Sequence, residues 1–492
     1  MGYGRVLREK YSAIRFLVEA QKTVWYPILF AVICMISGSF GSQVYIPLIV
    51  VLCSFVLFSV FFADDNKVFL VPMLMIYYSL GRDNLSVTPG TGDDLLNSSF
   101  DKNGFIFIIV CGVIVTLAFV ARMIADGSIA RAFRQRRIGA IGIVALDIAL
   151  MLNGIFNPNY TPMNILYGFI IAISFTLFYF ATSGMLEGSK DFIPYACKCM
   201  VCTAYVALGQ FAVIIVRLWQ NDNLFRYNSS GAFWGLNRYG FVLAWGLSTA
   251  IAGVFVLGVA ASLYLARNCK YSVVSYGSAI LFLLGTVIIN TRSAMLVGAA
   301  AFIVGSVLCC LKNAKHKKNA IVCRIMFAVC IIAGGAVMAK LLSIDNALER
   351  LLELMRLEDF DNSPRLNLWK RGWTDFLSMP IFGVGFDSGS NISNNVFSSM
   401  YHCIIFQFLG SMGILGAIAA LVHFLTLGHI CFKNAHIDKF LLLLLPFMII
   451  GMSMVDNFFF YPNFQIFYCI FIVLAEYYDN QTEHPETNSI PA

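Results

Sequence analysis

Residues 364–389 read PRLNLWKRGWTDFLSMPIFGVGFDSG, a half-polar stretch closing on a glycine-rich turn, in a 492-residue chain that is 59% hydrophobic and only 12% charged. Soluble domains usually carry about 25% charged residues, so the chain as a whole reads as an all-α polytopic membrane protein. The quoted stretch therefore needs its own explanation. Ser363 suits the cap of a helix that starts at Pro364, and Leu366, Trp369, Trp373, Phe376 and Leu377 then share one face. Two tryptophans on an apolar face fit a helix lying at the membrane surface. Pro380 ends that helix, and Gly383, Gly385 and Gly389 permit tight turns or close approach of backbone to a ligand.

Outward from this segment, apolar stretches long enough to cross hydrocarbon recur at 24–41, 44–63, 68–81, 104–125, 138–156, 163–183, 194–218, 239–265, 273–289, 294–311, 320–342, 403–432, 440–458 and 462–478. About fourteen transmembrane helices are expected, and the third stretch is short and contains Pro72. The expected order is a tail at 1–23, helices one to eleven within 24–342, a long external loop at 343–402, helices twelve to fourteen within 403–478, and a tail at 479–492. The first apolar stretch lacks a good cleavage site and is read as a retained anchor.

Basic residues near span ends stay cytoplasmic. With the N-terminus inside, the inner segments hold 20 Lys and Arg and the outer segments 10, so both termini are expected in the cytoplasm. The net charge of +7 is mostly this inner-face bias, which gives no case for nucleic-acid binding. Of the fourteen cysteines nearly all fall inside spans, and the Cys197, Cys199, Cys202 group lacks zinc-site spacing. No metal and no cofactor is expected.

The long loop is where polar chemistry concentrates, since connections of this length tend to be functional. Its first part places Leu348, Leu351, Leu352 and Met355 at the spacing of an amphipathic helix, and its acidic run at 358–361 reads as a solvated loop. Arg365 sits in the first turn of the quoted helix, where a cation opposes the macrodipole unless an anion such as phosphate joins it; an exposed, solvated arginine is the plain alternative. His402 is the one histidine at the outer mouth; a lone histidine is more often structural than catalytic, yet it is also the side chain best suited to act as a base near neutral pH. Arg292 occupies a tight outer turn, where snorkelling to the interface is the plain alternative to a binding role. Asp147 is the deepest acid, either functional or paired with a neighbouring helix.

The segment SPRLNLWKRGWTDFLSMPIFGVGF, followed by YHCIIFQFLGSMGILG, resembles the signature region of the O-antigen ligase and polymerase superfamily. In that family an Arg-x-x-x-Trp helix runs into a Pro-x-x-Gly-x-Gly turn, and a histidine follows with a glycine eleven residues beyond; His402 and Gly413 keep this spacing. NTRSAML resembles the family's Thr-x-Ser-Arg type turn, with Arg292 shifted slightly, and RYNSSGAFWGLNRYGFVLAW resembles the element in which Arg226, Gly231, Phe233 and Asn237 precede a span. Cys403 stands where the family usually has asparagine.

The resemblance implies a C-type inverting glycosyltransferase of the bacterial cytoplasmic (inner) membrane. It would use an undecaprenyl-diphosphate-linked glycan at the outer face, without a nucleotide sugar or obligatory metal. His402 would be the base. Arg292 and Arg365, with Arg226 and Arg371 as lesser candidates, would hold the diphosphate. The helix bearing Trp369 and Trp373 would wall a cleft open to membrane lipid, and the turn of Gly383 and Gly385 would line the glycan side. Flippase and chain-length regulator proteins are the partners the resemblance suggests. Within the family, polymerase is preferred to ligase; outside it, a lipid-linked sugar flippase or secondary transporter is the alternative.

Overall fold

The computed structural model describes residues 10–81, 102–134, 137–158, 162–186, 191–222, 224, 241–311, 317–342, 364–386 and 400–483. In hydrocarbon every backbone polar group must find its partner within the protein, so apolar stretches of this length fold as helices. They run in the order α1 (Ser12–Gln21), α2 (Trp25–Ser39), α3 (Ser42–Phe62), α4 (Leu70–Met75), α5 (Lys102–Ala125), α6 (Ser128–Arg134), α7 (Gly139–Leu152), α8 (Pro162–Met185) and α9 (Phe192–Gln220). A two-residue-stranded hairpin, β1 (Val242–Leu243) with β2 (Gly246–Leu247), leads into α10 (Ser248–Asn268). Then follow α11 (Ser272–Ile289), α12 (Arg292–Cys310), α13 (Lys317–Leu342), α14 (Pro364–Ser378), α15 (Ile404–Phe432), α16 (Ile437–Ser453) and α17 (Pro462–Glu483).

Each of the fourteen expected stretches carries helix, and the chain is an all-α polytopic membrane protein. By length and composition, eight helices among the described residues can cross a membrane, or ten if two sharply bent pairs, α1 with α2 and α5 with α6, each count once. The stretch 68–81 is not one straight span. There α4 is flanked by the 3-10 turns Asn66–Phe69 and Ile76–Ser79, and Pro72 removes one donor from the helical ladder.

The most enclosed element is α10, whose span is 94% buried, against 11% for α13 at the periphery. Around α10 pack α9, α11, α12 and α16. Small residues allow this close approach: a Cβ at Gly258 would lie 2.9 Å from the Phe282 ring, and one at Gly285 would lie 2.7 Å from that of Phe255.

Polar contacts divide between two faces. On one, Lys22 meets Asp64 at 2.9 Å, Arg122 donates to the Ala63 carbonyl at 2.8 Å, and Gly184 lies against Ser128. On that face too, Glu476 accepts from Tyr179 Oη at 2.6 Å and from the Gly139 N–H at 2.8 Å. The start of α2 and the end of α17 thus share a face. Near it, fully buried Arg267 binds Asp438 at 2.9 Å and donates to the carbonyls of Leu308, Cys309 and Leu311, which closes the C-terminus of α12. Fully buried Lys439 binds both oxygens of Asp479. Asp147 is buried in α7 and accepts from Thr176 of α8.

Candidate active site

At the opposite face α15 is interrupted. Gly413 has φ 63° and ψ −150°, a conformation essentially restricted to glycine. In an unbroken helix Ile414 and Leu415 would donate to the carbonyls of Gly410 and Ser411. Instead Ile414 N–H donates to Pro380 O at 2.7 Å and Leu415 N–H to Ile381 O at 3.2 Å. The released carbonyls are taken up by Val384 N–H on Gly410 O at 2.9 Å and Gly385 N–H on Ser411 O at 3.0 Å. The Pro380–Gly385 turn is therefore spliced into the helix, and four bonds replace two. Gly383, with φ 68°, sits so close that a Cβ would lie 2.2 Å from the Ser411 carbonyl carbon.

The C-terminal end of α7 secures the same turn. Gly154 N–H donates to Phe382 O at 2.8 Å, Asn157 Nδ2 to Val384 O at 2.7 Å, and Phe386 N–H to Asn153 Oδ1 at 2.9 Å. Gly383 and Gly385 are both buried, with positive φ.

The α14 helix forms as its sequence pattern predicts, and its apolar face divides in two. Trp369 turns inward and stacks on Phe406, ring centroids 5.9 Å apart. Trp373 and Leu377 remain exposed, together with Ile381 of the turn. The expected cap Ser363, the amphipathic segment at 348–355, the acidic run at 358–361, Gly389 and Arg226 lie outside the described residues.

His402 lies just before α15 and carries a φ of 51°. A left-handed backbone in a non-glycine residue costs about 1–3 kcal/mol and persists where its surroundings hold it. Its Nδ1 is 3.1 Å from Asp456 Oδ1, which also accepts the Asn457 N–H at 2.8 Å. Burial pushes the Asp456 carboxyl upward, but the bond and charge of His402, the Asn457 N–H and the charge of Arg365 together hold it below its ordinary value of 3.8. An ionised carboxylate only accepts, so Nδ1 carries the proton in this contact, and in the neutral ring Nε2 is the nitrogen with the lone pair. The histidine side chain is 29% exposed and the aspartate 8%, an accessible imidazole on a buried carboxylate.

Arg365 acts on Asp456 electrostatically, which brings α14 to the His402 dyad. Arg371 lies 3.6 Å from Asp375 on the same helix, and Asp375 accepts from Tyr401 Oη at 2.7 Å. Arg292 opens α12 and is exposed. Its level follows from the antiparallel register of α12 and α16. A Cβ at Gly305 would meet Leu444 at 3.2 Å, and one at Gly451 would meet Val297 at 3.4 Å. Continued along the two helices, that register brings the N-terminus of α12, and Arg292 with it, to the end of the bundle where α16 stops at Ser453. His402, Asp456, Arg365, Arg371 and Arg292 thus gather at one end of the bundle.

Asp456 was missed by the sequence reading because it closes an apolar run counted whole as the span 440–458. The available signal was an Asp-Asn pair at the end of that run. Among the described residues, no three His, Cys, Asp or Glu side chains converge as a metal-ligand set.

No curated protein matches the chain. Residues 277–421 match the family described as O-Antigen ligase, a range that runs from α11 into α15 and holds Arg292, Arg365, Arg371, the spliced turn, His402 and Gly413, while Asp456 falls beyond it. Over this segment the match supports the resemblance to the O-antigen ligase and polymerase superfamily.

Proposed function

We propose that the protein transfers the glycan of an undecaprenyl-diphosphate-linked oligosaccharide to an acceptor hydroxyl at the outer face of the bacterial cytoplasmic membrane, with inversion at the anomeric carbon. The observation that carries this reading is the His402–Asp456 pair, set among arginines at one end of the bundle. His402 Nε2 takes the acceptor proton as the acceptor oxygen bonds to the anomeric carbon. The bond from that carbon to the phosphate oxygen breaks, and its electron pair leaves with the lipid diphosphate. Asp456 keeps Nδ1 protonated, aims the ring and stabilises the imidazolium that forms.

Charge grows on the diphosphate as it leaves, and cations held in place before that moment stabilise it without reorganisation. Arg292 and Arg365 take this role, with Arg371 and Arg226 as further contacts. Trp369 and Trp373 anchor one wall against lipid, and the turn of Gly383 and Gly385 borders the glycan. The turn's contribution is its rigidity, since its hydrogen bonds fix α14 to α15. The assembly then acts in polymer growth, the acceptor being a second lipid-linked repeat, with both termini in the cytoplasm as the basic residues of the sequence indicate.

The test is incubation of the purified protein in nanodiscs with a cognate undecaprenyl-diphosphate oligosaccharide. A ladder of repeats with release of lipid diphosphate supports polymerisation. A single transfer to a different acceptor makes the protein a ligase, and no turnover with candidate acceptors present returns the argument to a transporter.

A further inference from the structure

Between the two sets of groups just assigned lies a contact that neither the sequence pattern nor the proposed chemistry uses. Tyr401 Oη donates to Asp375 Oδ2 at 2.7 Å, and the same carboxylate faces the Arg371 guanidinium at 3.6 Å. The Tyr401 ring is buried where α14 and α15 touch backbone to backbone. A Cβ at Gly410 would lie 2.6 Å from the ring and 3.0 Å from Gly372 O, and one at Gly372 would lie 3.1 Å from the ring. Side chains larger than hydrogen at 372 or 410 would therefore displace the tyrosine.

The backbone of Tyr401 is fixed as well. Its N–H donates to Gln407 Oε1 at 3.1 Å, and Gln407 Nε2 donates to Ser411 Oγ at 2.7 Å, with both side chains fully buried. Ser411 in turn accepts from Gly385 of the spliced turn. Immediately after this anchored residue comes His402 in its left-handed conformation. On the other side Cys403 is buried at the start of α15. A strained backbone keeps its geometry only where its neighbours hold it, and Tyr401 is the neighbour with a side-chain anchor on another helix. Burial and the nearby Asp375 charge raise the phenol well above its ordinary value, so it remains a donor through the neutral range.

We propose that Asp375 is a positioning residue: through Tyr401 it sets the backbone of His402, and by its own place on α14, one turn from Arg371, it ties that setting to the helix that grips the diphosphate. This rests on the transferase reading given above. Neither Asp375 nor Tyr401 contacts the reacting atoms. Their effect is to keep the base and the cations on α14 at a fixed separation, and displacing a base by a fraction of an ångström lowers the rate without weakening substrate binding.

The test compares kcat and KM for the lipid-linked oligosaccharide in Tyr401→Phe, Asp375→Ala, the double variant and Asp375→Asn, with thermal unfolding of each in nanodiscs. A hydrogen bond to a charged group sets the scale, so Tyr401→Phe and Asp375→Ala should each lose about ten-fold in kcat with KM within about two-fold of wild type. The double variant should lose no more than either single change, because one shared contact is removed. Asp375→Asn keeps an acceptor oxygen for the phenol and should recover most of the loss. Wild-type kcat in both single variants, additive losses, or losses that follow the unfolding temperature alone would overturn the proposal while leaving the transferase reading intact. Absence of turnover in the wild type would overturn both.

Discussion

Replacing Gly413 by alanine isolates the splice between the turn and α15. At its present φ and ψ an added Cβ would sit 2.5 Å from Pro380 O and 2.6 Å from both the carbon and oxygen of the Ile381 carbonyl. All three are backbone atoms that no rotamer change can move. The helix has one escape: residue 413 becomes helical, Ile414 and Leu415 donate to Gly410 and Ser411, and the turn is expelled. Two bonds form where four are lost, a net loss of two at about 1 kcal/mol each, or about 2 kcal/mol. Retaining the splice instead leaves alanine in a region worth about 1–3 kcal/mol of strain, with the clash added. Either route should destabilise this region by about 2–4 kcal/mol and move Arg365 relative to His402.

Hydrogen exchange in nanodiscs reads this at the amides of Val384, Gly385, Ile414 and Leu415, alongside transferase activity. Gly428 of the same helix is the control, because nothing lies within 4 Å of a Cβ there. Gly428→Ala should be neutral or slightly stabilising, since alanine exceeds glycine in helix propensity by about 1 kcal/mol. Protection and activity in Gly413→Ala equal to those of Gly428→Ala would refute the reasoning.

Asp456→Asn should lower kcat about a hundred-fold, the scale of a misdirected general base, while leaving KM for the lipid-linked substrate nearly unchanged; equal kcat would remove the dyad. Because the folded-state pKa of Asp456 is depressed, its stabilising effect should be present above its ordinary value of 3.8 and be lost as pH falls through its lower folded value. The difference in unfolding temperature between wild type and Asp456→Asn should therefore be full at pH 7 and shrink only in that acidic range; a difference independent of pH would contradict the assignment. Arg292→Ala and Arg365→Ala should each reduce kcat/KM at least about ten-fold, the value of a charge-assisted bond, measured with the lipid-linked oligosaccharide; wild-type kinetics in either variant would remove that arginine from the site. Arg267→Ala, at the other face, should cost about 3–5 kcal/mol of stability by removing the arginine partner of buried Asp438, which keeps Asn268 as a donor, with turnover per folded molecule retained; an unchanged unfolding temperature would count against the buried network.

Helices were legible in the sequence because length and hydropathy suffice to specify them in hydrocarbon. The α14 helix was legible from its proline, its tryptophans and its stop at Pro380. The glycines after it were read as freedom for a turn or room for a ligand. Their observed use is backbone contact with a broken helix, which depends on pairing between segments about thirty residues apart and leaves no periodic signal. Gly413 likewise sits inside an apolar run whose hydropathy is that of an intact span. His402 was singled out by elimination, as the one histidine that the expected topology puts at the outer mouth. Its partner was hidden because a single aspartate barely alters the hydropathy of a long apolar stretch. Asp147, singled out as the deepest acid, has its hydroxyl donor on the adjacent helix, the pairing its burial demands.

The most direct test of the central claim is single-turnover release of lipid diphosphate by wild type and His402→Ala in nanodiscs, with both variants shown to bind the lipid-linked substrate. The account predicts release in the wild type and a loss of at least about a hundred-fold in the variant at unchanged binding. Equal release by the two would contradict it.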